Sequence, residues 1–138
     1  MPARLLAAFA ALSAILALPA PSTAGDLSCN GLVSSGRTMI CAGFEPNWAL
    51  TLACPGTTMS STFIDAFSGD LTETPGTVSF ASQNPWVLST SHGIQGTIAW
   101  TPGGCTDEGD FTHEFTFTPT AAPGLSGDLL RPFCCRVE

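Results

Sequence analysis

The sequence predicts an all-β fold, a small antiparallel β-barrel held together by disulfide bonds, with a β-sandwich as the alternative. Three observations lead to this prediction. No stretch of about ten residues after the N-terminal segment carries apolar residues at helical spacing. Short runs rich in Val, Ile, Thr, Phe and Trp alternate with Gly, Pro, Asn and Ser. The chain also contains six cysteines. A closed barrel is favoured because closure removes the exposed strand edges that promote aggregation.

Nine short segments have the composition of strands, and turn residues separate them. The clearest turn signals are Ser35-Gly36, Pro75-Gly76, His92-Gly93, Pro102-Gly103-Gly104 and Pro123-Gly124. The predicted strands are 27–33, 38–43, 48–53, 59–66, 77–82, 86–91, 96–101, 111–118 and 127–137, the last with an interruption at Pro132. Eight or nine strands and no internal repeat indicate one β-domain.

The segment 111–118 shows the clearest strand pattern. Alternate side chains of a strand point to opposite faces of the sheet. This alternation predicts a core face formed by Phe111, His113, Phe115 and Phe117, and a solvent face formed by Thr112, Glu114, Thr116 and Thr118.

The N-terminal residues have the three parts of a secretory signal peptide. Arg4 supplies the positive charge, residues 5–18 are apolar, and residues 19–24 end in Ser-Thr-Ala. We expect cleavage after Ala24, which leaves a single β-domain at 25–138. The apolar run is shorter than the roughly 18 to 20 residues of a membrane-spanning helix, so we expect no membrane insertion after cleavage and a periplasmic or secreted protein.

The charge balance restricts the classes of partner. The chain has 11 acidic residues, no lysine and four arginines, and its net charge is −7. Nucleic acids and anionic membranes are bound by clustered Lys and Arg, so this composition argues against a nucleic-acid partner. An acidic surface suits a basic protein as partner, although it also serves simply to keep an exported protein soluble.

The cysteines are predicted to form structural disulfides. Zinc sites and thioredoxin-like sites use Cys-x-x-Cys pairs, and the sequence has none. Six cysteines allow 15 pairings. Adjacent strand residues point to opposite faces, so Cys134 and Cys135 should bond to different partners. A bridge from Cys105 to Cys134 or Cys135 would tie the hairpin of strand 111–118 at its base, and the remaining partners come from Cys29, Cys41 and Cys54.

Two short motifs resemble a family of small exported bacterial proteins of unknown function, the putative lipoproteins with a Gly-x-Glu-Pro-Phe-Trp-Ser-Leu motif. The first is Gly-Phe-Glu-Pro-Asn-Trp-Ala-Leu at 43–50, in which Asn47 replaces the usual aromatic residue. The second is Cys-Thr-Asp-Glu-Gly-Asp at 105–110, followed by a hairpin and Cys-Cys, where the family has Cys-Ser-Asp-Gly. The resemblance implies a small barrel-like domain in which Cys105 pairs with a C-terminal cysteine. It implies no defined biochemical role.

Two sets of residues are candidates for a site. Glu45 and Trp48 would line a ligand pocket at the barrel mouth, or else Trp48 fills the barrel and Glu45 accepts backbone hydrogen bonds at a bend. Asp107, Glu108 and Asp110 offer oxygens for calcium, but they lack the EF-hand pattern, so we predict a solvated acidic turn. We identify no catalytic residue, metal site or cofactor.

These observations predict a non-enzymatic binding or inhibitor module, directed at a cationic protein such as lysozyme. Known membrane-bound lysozyme inhibitors insert a serine and a lysine into their target, and a chain without lysine cannot repeat that contact. A structural or envelope-stress protein without a small ligand is the alternative. A hydrolase is the least favoured, since no nucleophile motif such as Gly-x-Ser-x-Gly is present.

Overall fold

The protein folds into a closed eight-stranded antiparallel β-barrel in a computed structural model that describes residues 28–43, 48–65, 71–127 and 130–138. A short turn at Ser28–Gly31 precedes the barrel. The strands are β1 (Arg37–Gly43), β2 (Trp48–Cys54), β3 (Ser60–Asp65), β4 (Thr72–Phe80), β5 (Trp86–Thr90), β6 (Gln95–Thr106), β7 (Thr112–Ala121) and β8 (Phe133–Val137). The predicted all-β barrel is confirmed.

Each strand pairs with its neighbour in sequence, and β8 returns to pair with β1. At this closing pair Cys41 lies opposite Cys135. Burial alternates along the strands as a filled barrel requires: in β2, Trp48, Leu50 and Leu52 are buried and the residues between them are partly exposed.

Aromatic side chains fill one end of the barrel. The ring of Trp48 lies 4.6 Å from that of Phe133, 6.1 Å from Phe63 and 6.2 Å from Phe117, measured between centroids. All four side chains are buried. Edge-to-face and tilted contacts of this kind add roughly 0.5–1.5 kcal/mol per pair to the hydrophobic term. This end of the barrel is therefore a packed core.

All six cysteines are paired, as Cys29–Cys54, Cys41–Cys135 and Cys105–Cys134. The prediction that Cys134 and Cys135 bond to different partners is confirmed. Cys135 is fully buried in the core with Cys41, whereas Cys134 is partly exposed on the outer wall. Disulfides persist in oxidising compartments, so this pairing is consistent with a protein outside the cytoplasm.

The predicted strand 27–33 is wrong over its described residues. Cys29, Asn30 and Gly31 have positive φ angles of 52°, 59° and 69°, which strands do not allow. Two tertiary contacts hold this turn against the barrel: the disulfide to Cys54 and a 2.9 Å hydrogen bond from the indole N–H of Trp86 to the carbonyl of Asn30.

Two predicted turns lie inside strands. Pro75 and Gly76 belong to β4 and pair with β3. Proline is tolerated there because β5 pairs only with Val78–Phe80, which leaves this part of β4 with one neighbour. Pro-Gly-Gly at 102–104 lies within β6, where the pairing with β7 shifts register between Trp100 and Cys105. The turn residues therefore produce a β-bulge.

Three further expectations, on Phe111, His113 and the strand 127–137, need correction. Phe111 precedes β7 and is 69% exposed, so it does not belong to the core face. His113 does not join the core either, because its ring bonds to Asp107 at 2.7 Å and lines a cleft outside the barrel. The predicted alternation holds for Phe117, which is fully buried, and for Phe115, which packs against the core. The predicted strand 127–137 forms only as Phe133–Val137, after Pro132.

The predicted signal peptide and its cleavage site lie in residues 1–27, outside the described residues, and stay a prediction. In the described part of the chain, no helix has the length and hydropathy needed to cross a membrane.

Candidate functional site

The hairpin between β6 and β7 folds back across the outer wall of the barrel. β7 lies between β6 and β8 in the sheet, and strands two positions apart are normally separated by about 9–10 Å. Yet the Cα atoms of Cys105 in β6 and Cys134 in β8 are 5.5 Å apart and disulfide-bonded. The bulge at 102–104, with Gly103 at φ 68°, supplies the bend that makes this approach possible.

The tip of this hairpin is a tight loop organised by Asp107. Its Oδ1 atom accepts hydrogen bonds from the backbone N–H groups of Gly109 (2.9 Å) and Phe111 (3.0 Å). Its own N–H donates to the carbonyl of Phe111 at 3.0 Å. Aspartate favours such turns because its short side chain reaches backbone donors two to four residues ahead. The loop therefore has a fixed shape.

Asp107 also forms a close pair with His113 at the start of β7. The Nε2 atom of His113 lies 2.7 Å from Oδ2 of Asp107, and the two side chains are 15% and 26% exposed. The hydrogen bond from His113, followed by those from the backbone of Phe111 and Gly109, holds the pKa of Asp107 below its usual value. The Asp107 carboxylate is therefore charged at neutral pH.

A cleft of about 370 Å³ lies between this hairpin tip and the outer faces of β1 and β8. We call it the outer cleft. Its apolar side consists of Ile40, Ala42 and Pro132, together with Cys134 of the disulfide. Phe133 also borders the cleft, but its ring is buried in the aromatic cluster. Its polar side chains are Thr106, Asp107, Glu108, His113, Arg131 and Arg136.

Ion pairs hold both arginines of the outer cleft. Nη2 of Arg131 lies 3.2 Å from Oε1 of Glu108, which connects the hairpin tip to the segment before β8. Nε of Arg136 donates to Glu138 at 2.7 Å. All four side chains are about half exposed, so these pairs are screened by solvent and contribute little to stability.

The predicted ligand-binding residues lie elsewhere. Glu45 is outside the described residues. Trp48 is 3% exposed within the aromatic cluster, and its indole Nε1 has no hydrogen-bond partner among the described residues. The structure does not bring Trp48 to the outer cleft. A ligand role for Glu45 and Trp48 remains a prediction.

A serine–histidine pair that sequence reasoning did not select lies between β3 and the turn after β5. Ser61 Oγ lies 3.3 Å from Nε2 of His92 and donates to the carbonyl of Thr77 at 3.1 Å. His92 Nδ1 lies 2.9 Å from the hydroxyl of Thr90, where a catalytic triad has a carboxylate. Ser61 is only 1% exposed, and its proton points to a carbonyl. This arrangement orders the barrel and does not activate a nucleophile.

The acidic loop is held by hydrogen bonds within the protein. Among the described residues, no group of three or more His, Cys, Asp or Glu side chains is arranged to hold a metal ion. Both carboxylate oxygens of Asp107 already accept hydrogen bonds from the loop and from His113. The described geometry at Asp107 is therefore that of a structural turn.

The outer cleft depends on contacts that are distant in sequence, which explains why sequence reasoning missed Arg131, Arg136 and Ile40. The signal that could have indicated it is Pro-Gly-Gly directly before Cys105, since a flexible bend next to a disulfide cysteine allows a hairpin to leave its sheet.

Fold and site together define a small, disulfide-bonded closed β-barrel with a filled aromatic end and a mixed-charge cleft on its outer wall. In comparisons with known proteins, no family model, no curated protein and no solved structure matches this chain. The resemblance to the Gly-x-Glu-Pro-Phe-Trp proteins therefore stays a prediction.

Proposed function

We propose that this protein is a non-enzymatic binding module of the periplasm or the extracellular space, which recognises a cationic protein such as lysozyme. The observation that carries the proposal is the acidic hairpin tip, which presents an exposed aromatic side chain on a rigid, disulfide-anchored support. The packed aromatic end supports a role for the outer surface, because it leaves little room for a small molecule there.

Charge favours a basic partner. Four acidic residues, Asp107, Glu108, Asp110 and Glu114, lie within eight positions at the hairpin, in a chain whose net charge is −7. Such a local field accelerates association with a cationic protein and orients it before contact.

Phe111 supplies an apolar anchor between the acidic residues of the hairpin. Its ring is 69% exposed, while its backbone N–H and carbonyl are both fixed by hydrogen bonds to Asp107. Aromatic side chains dominate the affinity of many protein interfaces. A preorganised loop loses little conformational entropy on binding. The hairpin tip therefore combines electrostatic attraction with an anchor.

Binding of lysozyme by the full chain, expressed with its own leader and purified oxidised, tests the proposal. We expect binding that weakens between about 50 and 200 mM salt, because the attraction between surface charges is screened. Phe111→Ser should reduce the affinity, whereas Leu71→Ser, which changes a side chain of equal exposure away from the hairpin, should not. Absence of binding to lysozyme, or equal binding by both variants, would overturn the proposal.

A further inference from the structure

We propose that the outer cleft is a pocket for one arginine side chain of the cationic partner. This inference rests on the proposed function and specifies the chemical group that the partner presents. Three features of the cleft support this inference: a guanidinium already seated at its rim, an apolar side for the stem of the side chain, and a pair of carboxylates for its head.

Arg131 shows how a guanidinium fits at the rim. Its Nη2 atom lies 3.2 Å from Oε1 of Glu108, and the two side chains are 47% and 53% exposed. A pair this exposed is weakly held. A partner's arginine can therefore take the place of Arg131 at Glu108, which makes Arg131 an intramolecular competitor.

The apolar side of the cleft fits the methylene stem of an arginine. Ile40 and Ala42 of β1 lie on one side, and Pro132, just before β8, lies on another. Long basic side chains commonly bury their aliphatic part against such surfaces while the charged group stays near water. A short cationic group would leave this apolar surface uncovered.

Two neighbouring acidic residues, Asp107 and Glu108, line the hairpin side of the cleft. Glu108 is solvent-accessible, and Asp107 is fixed by its loop and by His113. Asp107 Oδ2, which accepts from His113, retains room for a second donor. A planar guanidinium has five N–H donors in a fixed fork and can reach two acceptors at once. This donor pattern favours arginine over lysine.

The competitor role of Arg131 gives an expectation specific to this proposal. Arg131→Gln frees Glu108 and should tighten binding to lysozyme severalfold. Arg37→Gln removes the same charge from a position that does not line the cleft, and it should tighten binding less. Conversely, Glu108→Gln should weaken binding by about tenfold or more, the size of effect common for a charged hydrogen bond at an interface. Glu73→Gln, on an exposed part of β4, is its charge-matched control.

The experiment measures the Kd of lysozyme for these four variants, together with NMR titration of the wild type by capped Ala-Ala-Arg-Ala-Ala and by its lysine and glutamine counterparts. We expect the arginine peptide alone to shift the resonances of Ile40 and Ala42. If lysozyme binds but Glu108→Gln behaves like Glu73→Gln, or if the three peptides act alike, the arginine pocket is wrong and the proposed function stands. If lysozyme does not bind at all, the proposed function itself fails.

Discussion

Removal of the Cys105–Cys134 disulfide should destabilise the protein by about 3.6 kcal/mol. The two cysteines are 29 positions apart, and the chain-entropy relation for a loop of this length gives about 3.6 kcal/mol at 25 °C. The same relation gives about 4.7 kcal/mol for Cys41–Cys135, whose separation is 94. The double variant Cys41→Ala/Cys135→Ala should therefore lose about 1 kcal/mol more than Cys105→Ala/Cys134→Ala. The cavity left by two fully buried cysteines increases this difference.

Urea unfolding followed by tryptophan fluorescence under non-reducing conditions measures both losses. The slope with urea shows whether the variants still unfold as a compact barrel. Small domains have only about 5–15 kcal/mol of net stability, so both effects are easily resolved. A loss below about 1 kcal/mol for Cys105→Ala/Cys134→Ala would refute the loop-entropy reasoning. A smaller loss for the Cys41–Cys135 pair than for the outer pair would refute it equally.

Three other predictions concern single side chains. A Cβ at Gly96 would lie 2.5 Å from the carbonyl oxygen of Thr118, whereas a Cβ at Gly56 would have no atom within 4 Å. Gly96→Ala should therefore lower the free energy of unfolding by about 1–3 kcal/mol, and Gly56→Ala should leave it unchanged. Thermal melts of the two variants measure the difference. Ser61→Ala removes a buried donor and should cost about 1–3 kcal/mol in urea unfolding; an unchanged midpoint would contradict the hydrogen-bond assignment. Because the pKa of Asp107 is lowered by folding, its carboxylate stabilises the native state above pH about 4 and loses this effect as the pH falls. Asp107→Asn should therefore unfold more easily than wild type at pH 7, and the difference should shrink toward pH 2; a constant difference across this range would be evidence against the carboxylate.

Much of the barrel could be predicted from sequence because its strands follow simple alternation. In β2 the large apolar residues Trp48, Leu50 and Leu52 occupy every second position, and all three are buried. In β7 the same rule places Phe117 in the core. Local pattern succeeds where burial on one face decides the structure.

Other parts depended on contacts that no local pattern contains. Pro75-Gly76 has the composition of a turn, but pairing with β3 keeps it extended. Residues 28–31 belong to the predicted strand 27–33, but the disulfide to Cys54 and the hydrogen bond from Trp86 hold a turn there. Local preference is weak evidence when tertiary contacts compete with it.

The candidate site was accessible to sequence reasoning only in part. The sequence predicts an acidic turn at 107–110. It also predicts a disulfide from Cys105 to Cys134 or Cys135. The partnership of Glu108 with Arg131, across 23 positions, follows from the folded-back hairpin. The hairpin bends away from the regular sheet at the bulge, so the alternation of residues along the strands does not predict its position.

Pairing of the first strand with the last has a consequence for how the chain reaches its native state. Met39, Ile40 and Cys41 find their partners almost a hundred positions later, in the final residues. Contacts this distant in sequence make folding slow. The barrel cannot close before β8 has been synthesised and can pair with β1. A truncated chain without Phe133–Val137 would leave β1 and β7, the two strands that pair with β8, with unsatisfied backbone groups. Such open strand edges promote pairing between molecules. Strand β8 therefore protects the chain against aggregation as well as completing the barrel.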